Sequence, residues 1–171
     1  MRIAVDFDET LAQTMKEIAR LRGETYDYNK QDTYDYPLRK WGKDDFYGGL
    51  YLAHNSLMLE PTKYAINAIK HLIEFGHEVF ILTSNHISHV DGIQTWLDYY
   101  NLDLEIKTVP SFQEKFLESF DLLIDDHPDL IESGKYYGRE VIQFTQVYNK
   151  KPSFNWVQIT AIIQSKTLVK A

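Results

Sequence analysis

Three short stretches of the chain are almost wholly apolar: Arg2–Phe7 with Ile3-Ala4-Val5 inside it, Glu78–Leu82 with Val79-Phe80-Ile81-Leu82, and Phe120–Ile124. Apolar runs of this length, without helical spacing, read as strands covered on both faces. Leu104–Thr108 and Val141–Phe144 add two weaker strands. Between them the period changes. Leu11, Met15, Ile18, Ala19 and Arg22 recur at helical spacing over Thr10–Arg22, with Gly23 as a stop. Glu60-Pro61 opens a second helix carrying Ala65, Ala68, Ile69, Leu72 and Ile73 on one stripe, closed by Gly76. Ile93, Trp96, Leu97 and Tyr100 mark a third, a short helix follows Pro110, and Phe154–Ile163 forms a closing one. Strands alternating with helices predict a parallel sheet with helices on both faces.

Residues 24–59 break this rhythm. Tyr26, Tyr28, Tyr34, Tyr36, Trp41, Phe46, Tyr47 and Tyr51 mix there with Pro37, Gly42, Gly48 and Gly49. The segment reads as a helical cap inserted after the first strand, leaving 1–23 and 60–171 as the core. No internal repeat or low-complexity tract interrupts the chain.

The polar residues that end the strands carry the chemistry. Asp6 and Asp8 stand two apart at the end of the first strand, and extended residues at that spacing share a side. Thr83-Ser84 end the second and Asp125-Asp126 the third. In open parallel sheets, ligands bind beyond the carboxyl ends of the strands. One acid pair alone could be turn or capping chemistry; three reactive strand ends on one edge are hard to explain that way. Adjacent carboxylates repel unless a cation or a shared proton offsets them. An oxygen-only set of acids suits Mg²⁺.

Composition narrows the field. The 171 residues fit one domain, with 44% apolar and 25% charged residues, as in ordinary globular chains. A net charge of −7 argues against a broad grip on polynucleotide or anionic membrane. It leaves room for a small phosphorylated substrate neutralised locally by a metal and a lysine. There is no cysteine, which excludes disulfides and thiolate metal sites. No signal-peptide pattern or membrane-length apolar run is present. The expected location is the cytoplasm, and a homodimer is compatible with the sequence.

These residues carry a resemblance. Asp6-Phe7-Asp8-Glu9-Thr10, Ile81-Leu82-Thr83-Ser84, Lys115 and Ile124-Asp125-Asp126 resemble, in order and spacing, the four motifs of haloacid-dehalogenase superfamily phosphatases. Leu59-Glu60-Pro61, Asp121 through Asp129, and Phe144-Thr145 with Tyr148-Asn149 are similar to pieces of the 5′(3′)-deoxyribonucleotidases. The resemblance implies a Rossmann-like core and a Mg²⁺-dependent phosphomonoesterase. In it Asp6 is the nucleophile and Asp8 the acid/base. Asp6, the Asp8 backbone carbonyl and a strand-end acid hold the metal, with Asp126 favoured and Asp125 in support. Phe7, Asp8, Thr83, Ser84 and Lys115 would meet the phosphate.

Bland readings stand beside these roles. Lys115 alone would be a solvated lysine; its place ten residues before Asp125 makes its case, and Lys107 is the fallback. Glu9 is expected to point away from the pair and cap the next helix. His86 and His89 read as loop histidines without partners, His127 as packing beside the metal loop, and Asp129 as a support for that loop. Trp41, Phe46, Tyr47 and Tyr51 are collectively the candidates for a wall facing a nucleobase, since base–aromatic stacking is worth about 1–3 kcal/mol per base. For any single one of them, packing inside the cap is the weightier reading. The expected substrate is a (deoxy)nucleoside 5′- or 3′-monophosphate. The alternatives are another small phosphate ester, such as a sugar phosphate, and a silent binding protein on the same fold.

Overall fold

The computed structural model describes residues 1–149 and 152–169. Its five strands are β1 (Arg2–Val5), β2 (Glu78–Thr83), β3 (Ile106–Thr108), β4 (Leu122–Asp125) and β5 (Glu140–Gln143). They form one parallel sheet in the order β3-β2-β1-β4-β5. Val5 lies beside Ile81 on one side and Ile124 on the other, and the Asp6 amide donates to the Ile124 carbonyl at 2.9 Å. This register delivers Asp6 and Asp125 at one level of the sheet edge.

Alternate residues of each strand enter opposite layers. Ile3, Val5, Val79, Ile81, Leu122 and Ile124 pack with α4 (Ala65–Glu74), α5 (Val90–Tyr99) and α7 (Trp156–Val169). Ala4, Phe80, Leu82 and Leu123 face Phe116, Phe120 and Leu130, the last opening α6 (Leu130–Tyr137). Burial on both faces is why these strands show no polar alternation. A third cluster lies off the sheet, where α1 (Thr14–Leu21) meets α2 (Tyr36–Trp41) and α3 (Lys43–His54) through Met15, Ile18, Ala19, Trp41, Leu50 and Ala53. α1 and α3 approach closely because Gly49 has no Cβ, which would sit 2.8 Å from Ile18 Cγ2.

Several elements differ from the sequence expectation. α1 begins at Thr14, not Thr10, because residues 9–13 form a loop tied into its surroundings. Ala12 bridges Asp8 and Pro61, Glu9 adopts a left-handed φ of 56°, and the Thr10 carbonyl accepts from Thr62 Oγ1 and Trp156 Nε1. Pro61 therefore does not start a helix. Glu60 and Thr62 pair with this loop, and α4 begins at Ala65 with Ile73 40% exposed. β1 and β3 are shorter than expected, β2 runs on to Thr83, β4 is displaced toward Asp125 and β5 is shifted back by one residue, with Phe7, Leu104 and Phe144 lying outside the strands. α6 is an element the apolar pattern does not announce, since only Leu130 and Gly134 are buried on it. Among the described residues, no helix is long and apolar enough to cross a membrane.

Candidate active site

The polar strand ends meet at one cavity of about 410 Å³, within the range of small-molecule sites. Asp6 and Asp8 after β1, Thr83, Ser84 and Asn85 at the end of β2, and Asp125 and Asp126 at the end of β4 all line it. Lys115 enters from the 3₁₀ turn Gln113–Leu117. Its Nζ is 2.6 Å from both Asp6 Oδ1 and Asp125 Oδ2, and its side chain is 3% exposed. Lys107 instead pairs with Glu118 at 3.1 Å and does not line the cavity.

Asp6, Asp125 and Asp126 offer carboxylate oxygens that lie within 4.8 Å of one another, all three residues buried. Asp125 is committed to Lys115 and, through Oδ1, to the His127 amide at 2.9 Å. Asp126 meets neutral donors, Thr10 Oγ1 at 3.2 Å and the Tyr148 hydroxyl. Three buried acids facing one ammonium leave the group short of positive charge. Burial lifts Asp6 to about 8, Lys115 opposing and Asp125 and Asp8 adding to the shift. Burial also raises Asp126 well above the carboxylate range, with Asp125 and Asp6 adding. Lys115 is raised as well, because Asp125 and Asp6 outweigh its burial. An all-oxygen donor set with a deficit of positive charge fits a hard divalent cation such as Mg²⁺.

Asp8 has a different environment. Its Oδ1 meets His54 Nε2 at 2.7 Å and accepts from Thr14 Oγ1 at 2.5 Å, while Oδ2 accepts from Asn85 Nδ2 at 2.5 Å. Burial works against its ionisation, but His54, Thr14 and Asn85 together bring it down to about 2. Thr83 Oγ1 accepts from the Asn85 amide and side chain at 3.2 and 2.9 Å, so a single Asn orients both an acid and a hydroxyl. Phe7, expected to meet the phosphate, has no exposed surface, packs its ring on His54 and Trp96 and does not line the cavity.

The aromatic residues divide. Phe46 and Tyr47 line the cavity. Trp41 does not: it is buried in the third cluster beside Tyr26, the fate of a large ring with apolar neighbours on two helices. Tyr51 points elsewhere, edge-on to His89. Tyr34, Phe112 and Tyr148 take places at the cavity that the sequence reading does not assign, and His127 lines it beside Asp126. Phe112 stacks on His127 at 3.9 Å and Tyr34 meets the same ring at a tilt, 4.4 Å away. His54 and Asn85 have no role in the sequence reading. His89 is not a loop histidine without a partner, since it is 8% exposed and bonded to His54.

Glu9 accepts from the Met15 amide at 2.8 Å, a capping contact, while its Oε2 is buried without a partner. Burial raises it to about 8, Asp8 adding to the shift and the Met15 amide opposing it. A carboxyl whose folded pKa lies above its unfolded one contributes stability below the unfolded value. That stability drains away as pH rises toward the folded value. Glu9→Gln keeps the acceptor for Met15 and removes the charge. It is expected to raise the melting temperature by several degrees at pH 8 and to leave it unchanged near pH 4, read from thermal melts at both.

The fold has counterparts among solved structures. The chain is similar to a predicted phosphoglycolate phosphatase from Haemophilus somnus (TM-score 0.60, 15% identity, 95% of this chain and 97% of that one). It is also similar to a hydrolase from Streptococcus pneumoniae (TM-score 0.57, 15% identity, 95% and 97%). A HAD-superfamily hydrolase from Ehrlichia chaffeensis matches comparably (TM-score 0.54, 18% identity, 96% and 96%). The fold is thus the Rossmann-like α/β fold of haloacid-dehalogenase-type hydrolases. No family model and no curated protein sequence matches the chain.

Proposed function

We propose that this protein is a Mg²⁺-dependent phosphomonoesterase that cleaves (deoxy)nucleoside 5′- or 3′-monophosphates through an aspartyl-phosphate on Asp6. The observation that carries the reading is the separation of the two acids of the first motif. Asp6 is held against a buried lysine and two further carboxylates, while Asp8 is turned to neutral and imidazole donors on the other side. One environment suits a nucleophile beside a metal, the other a group that handles protons.

In this reading Asp8 takes up a proton from solvent as the phosphate binds beside it, an Asp6 oxygen bonds to phosphorus as the ester oxygen departs, and Asp8 passes that proton to the departing oxygen. A dianionic phosphate arriving beside Asp8 raises its proton affinity, since like charge disfavours the ionised form. Asp8 then takes a proton from water, which releases phosphate and restores Asp6. Lys115 and Thr83 face the transferred group and stabilise its charge. Asp6, the Asp8 carbonyl and Asp126, with Asp125 in support, would hold the ion. When bound, it keeps the acids ionised and draws charge from the phosphoryl oxygens.

Residues 24–59 act as a cap over the core of 1–23 and 60–171. Phe46 and Tyr47 from that segment and Phe112 from the core line the same cavity as the acids, and these aromatic rings are what supports a nucleobase there. A panel of dUMP, dTMP, GMP and sugar phosphates tests the choice by phosphate release with Mg²⁺. Nucleotides are expected to be preferred by at least about tenfold in kcat/KM, the order of one stacking contact. Equal rates on sugar phosphates would remove the nucleotidase reading and keep the phosphatase. EDTA is expected to stop release from every ester.

A further inference from the structure

α3 ends in a histidine that reaches the acid/base from behind. The His54 side chain is 0% exposed, with Nε2 2.7 Å from Asp8 Oδ1 and Nδ1 2.8 Å from Nδ1 of His89. Neither ring lines the cavity, so neither would touch a substrate there. The backbone of His54 is pressed against α5: a Cβ on Gly92 would stand 2.8 Å from the His54 carbonyl oxygen. Its ring is fixed edge-on against Phe7 at 5.4 Å and His89 at 5.0 Å. A ring nitrogen facing another ring nitrogen needs one N–H and one lone pair. Opposite a carboxylate, His54 Nε2 carries the hydrogen, so His54 Nδ1 accepts from His89 Nδ1–H.

We infer that His54, backed by His89, is a positioning residue that aims Asp8 at the leaving-group oxygen; this rests on the phosphomonoesterase reading above. Asp8 has two rotatable bonds and three donors: Thr14 and His54 share Oδ1, and Asn85 holds Oδ2. Thr14 is a rotatable hydroxyl and Asn85 also serves Thr83. His54 is held by ring contacts on Phe7 and His89 and by its backbone against α5. Proton transfer needs the carboxyl within hydrogen-bond reach of the departing oxygen. A misplacement of the order of 1 Å costs about 10²-fold in rate. His89 fixes the tautomer and plane of His54, as a third group orients the base in a catalytic triad.

Leaving-group dependence separates aiming from general support of the fold. Dinitrophenolate departs from 2,4-dinitrophenyl phosphate without a proton, whereas the alkoxide of benzyl phosphate needs one. kcat/KM covers only the steps up to that departure. His54→Ala is expected to lower kcat/KM on benzyl phosphate by about 10²-fold and to leave the dinitrophenyl ester within about fivefold. His54→Gln keeps an N–H near the Nε2 position and is expected to restore most of the loss. His89→Phe fills the same space without the donor and is expected to shift the same ratio by about tenfold. It carries the result if His54→Ala does not fold. Variants that lose both esters equally, or neither, overturn the inference while a wild type active on both keeps the phosphatase reading. A wild type inert on both esters with Mg²⁺ overturns that reading, and the inference with it.

Discussion

Asp6→Asn is expected to abolish Mg²⁺-dependent phosphate release, lowering kcat by about 10⁴-fold or more. The amide matches the carboxylate in shape and can still meet Lys115, but it cannot form the bond to phosphorus. The protein should survive the change. Burial raises the folded pKa of Asp6 to about 8, so at neutral pH its ionised form costs stability in the metal-free chain. The sign follows from a folded pKa above the unfolded one: stability is present at low pH and drains away as pH rises toward 8. Asp6→Asn should therefore melt at or above the wild-type temperature at pH 8 without metal, and no higher near pH 4. An aryl phosphate assay with paired thermal melts reads both effects. Full activity in the variant would remove Asp6 from the mechanism, whatever the melts show.

Lys115→Met should act on the fold as much as on the rate. The ammonium is the one cation within 2.6 Å of Asp6 and Asp125 among the described contacts, and the methionine stem can follow the same path. Removing one partner of a buried ion pair typically costs 3–5 kcal/mol, about 3 at the least. For a chain of this length that corresponds to a fall of about 10 °C. The deficit should grow with pH, because ionising acids then lack their counter-charge. Mg²⁺ should restore more stability to the variant than it adds to the wild type, since binding to the folded state stabilises by mass action. Activity should fall by about 10²–10³-fold even with Mg²⁺, the size of losing one preorganised charge-stabilising group. Thermal melts across a magnesium titration give the first reading, and phosphate release gives the second. Identical Mg²⁺ responses in the two proteins would dissociate Lys115 from the metal group.

What could be seen in the sequence was whatever a single segment encodes. β1, β2 and β4 are legible because burial on both faces writes an apolar run, and their carboxyl ends are legible because a reactive residue follows each run directly. Lys115 was reachable only through its spacing from Asp125 within a resemblance; nothing local marks a lysine whose side chain is 3% exposed. α6 escaped because a helix lying on the sheet by Leu130 and Gly134 leaves no stripe. Trp41 drops out of the collective wall and takes the packing role weighed for each aromatic singly, because an aromatic side chain looks the same in sequence whether it walls a cavity or fills a core. His54 and His89 stand 35 residues apart on different elements and acquire their meaning only from each other and from Asp8. Asn85 had a signal, its place directly after Thr83-Ser84, and that signal was local enough to have been read.

The loop that interrupts the start of α1 has a consequence for the order in which this chain can become functional. Thr10 touches Asp126 across 116 positions, and its carbonyl receives the Trp156 indole N–H across 146. Asp6 meets Lys115 across 109. Contacts of such separation form only after long loops have closed, which makes them slow relative to helix formation. While the chain is emerging from a ribosome, β1 and its two acids are made before β4 and the Trp156 helix and have no such partners to meet. Their charge deficit stays in water until β4 and the Trp156 helix arrive. A nascent chain that lacks the Trp156 helix therefore holds the acids of the first motif without the loop anchor that sets Thr10 on Asp126, and chemistry at this edge begins only once that helix has been made.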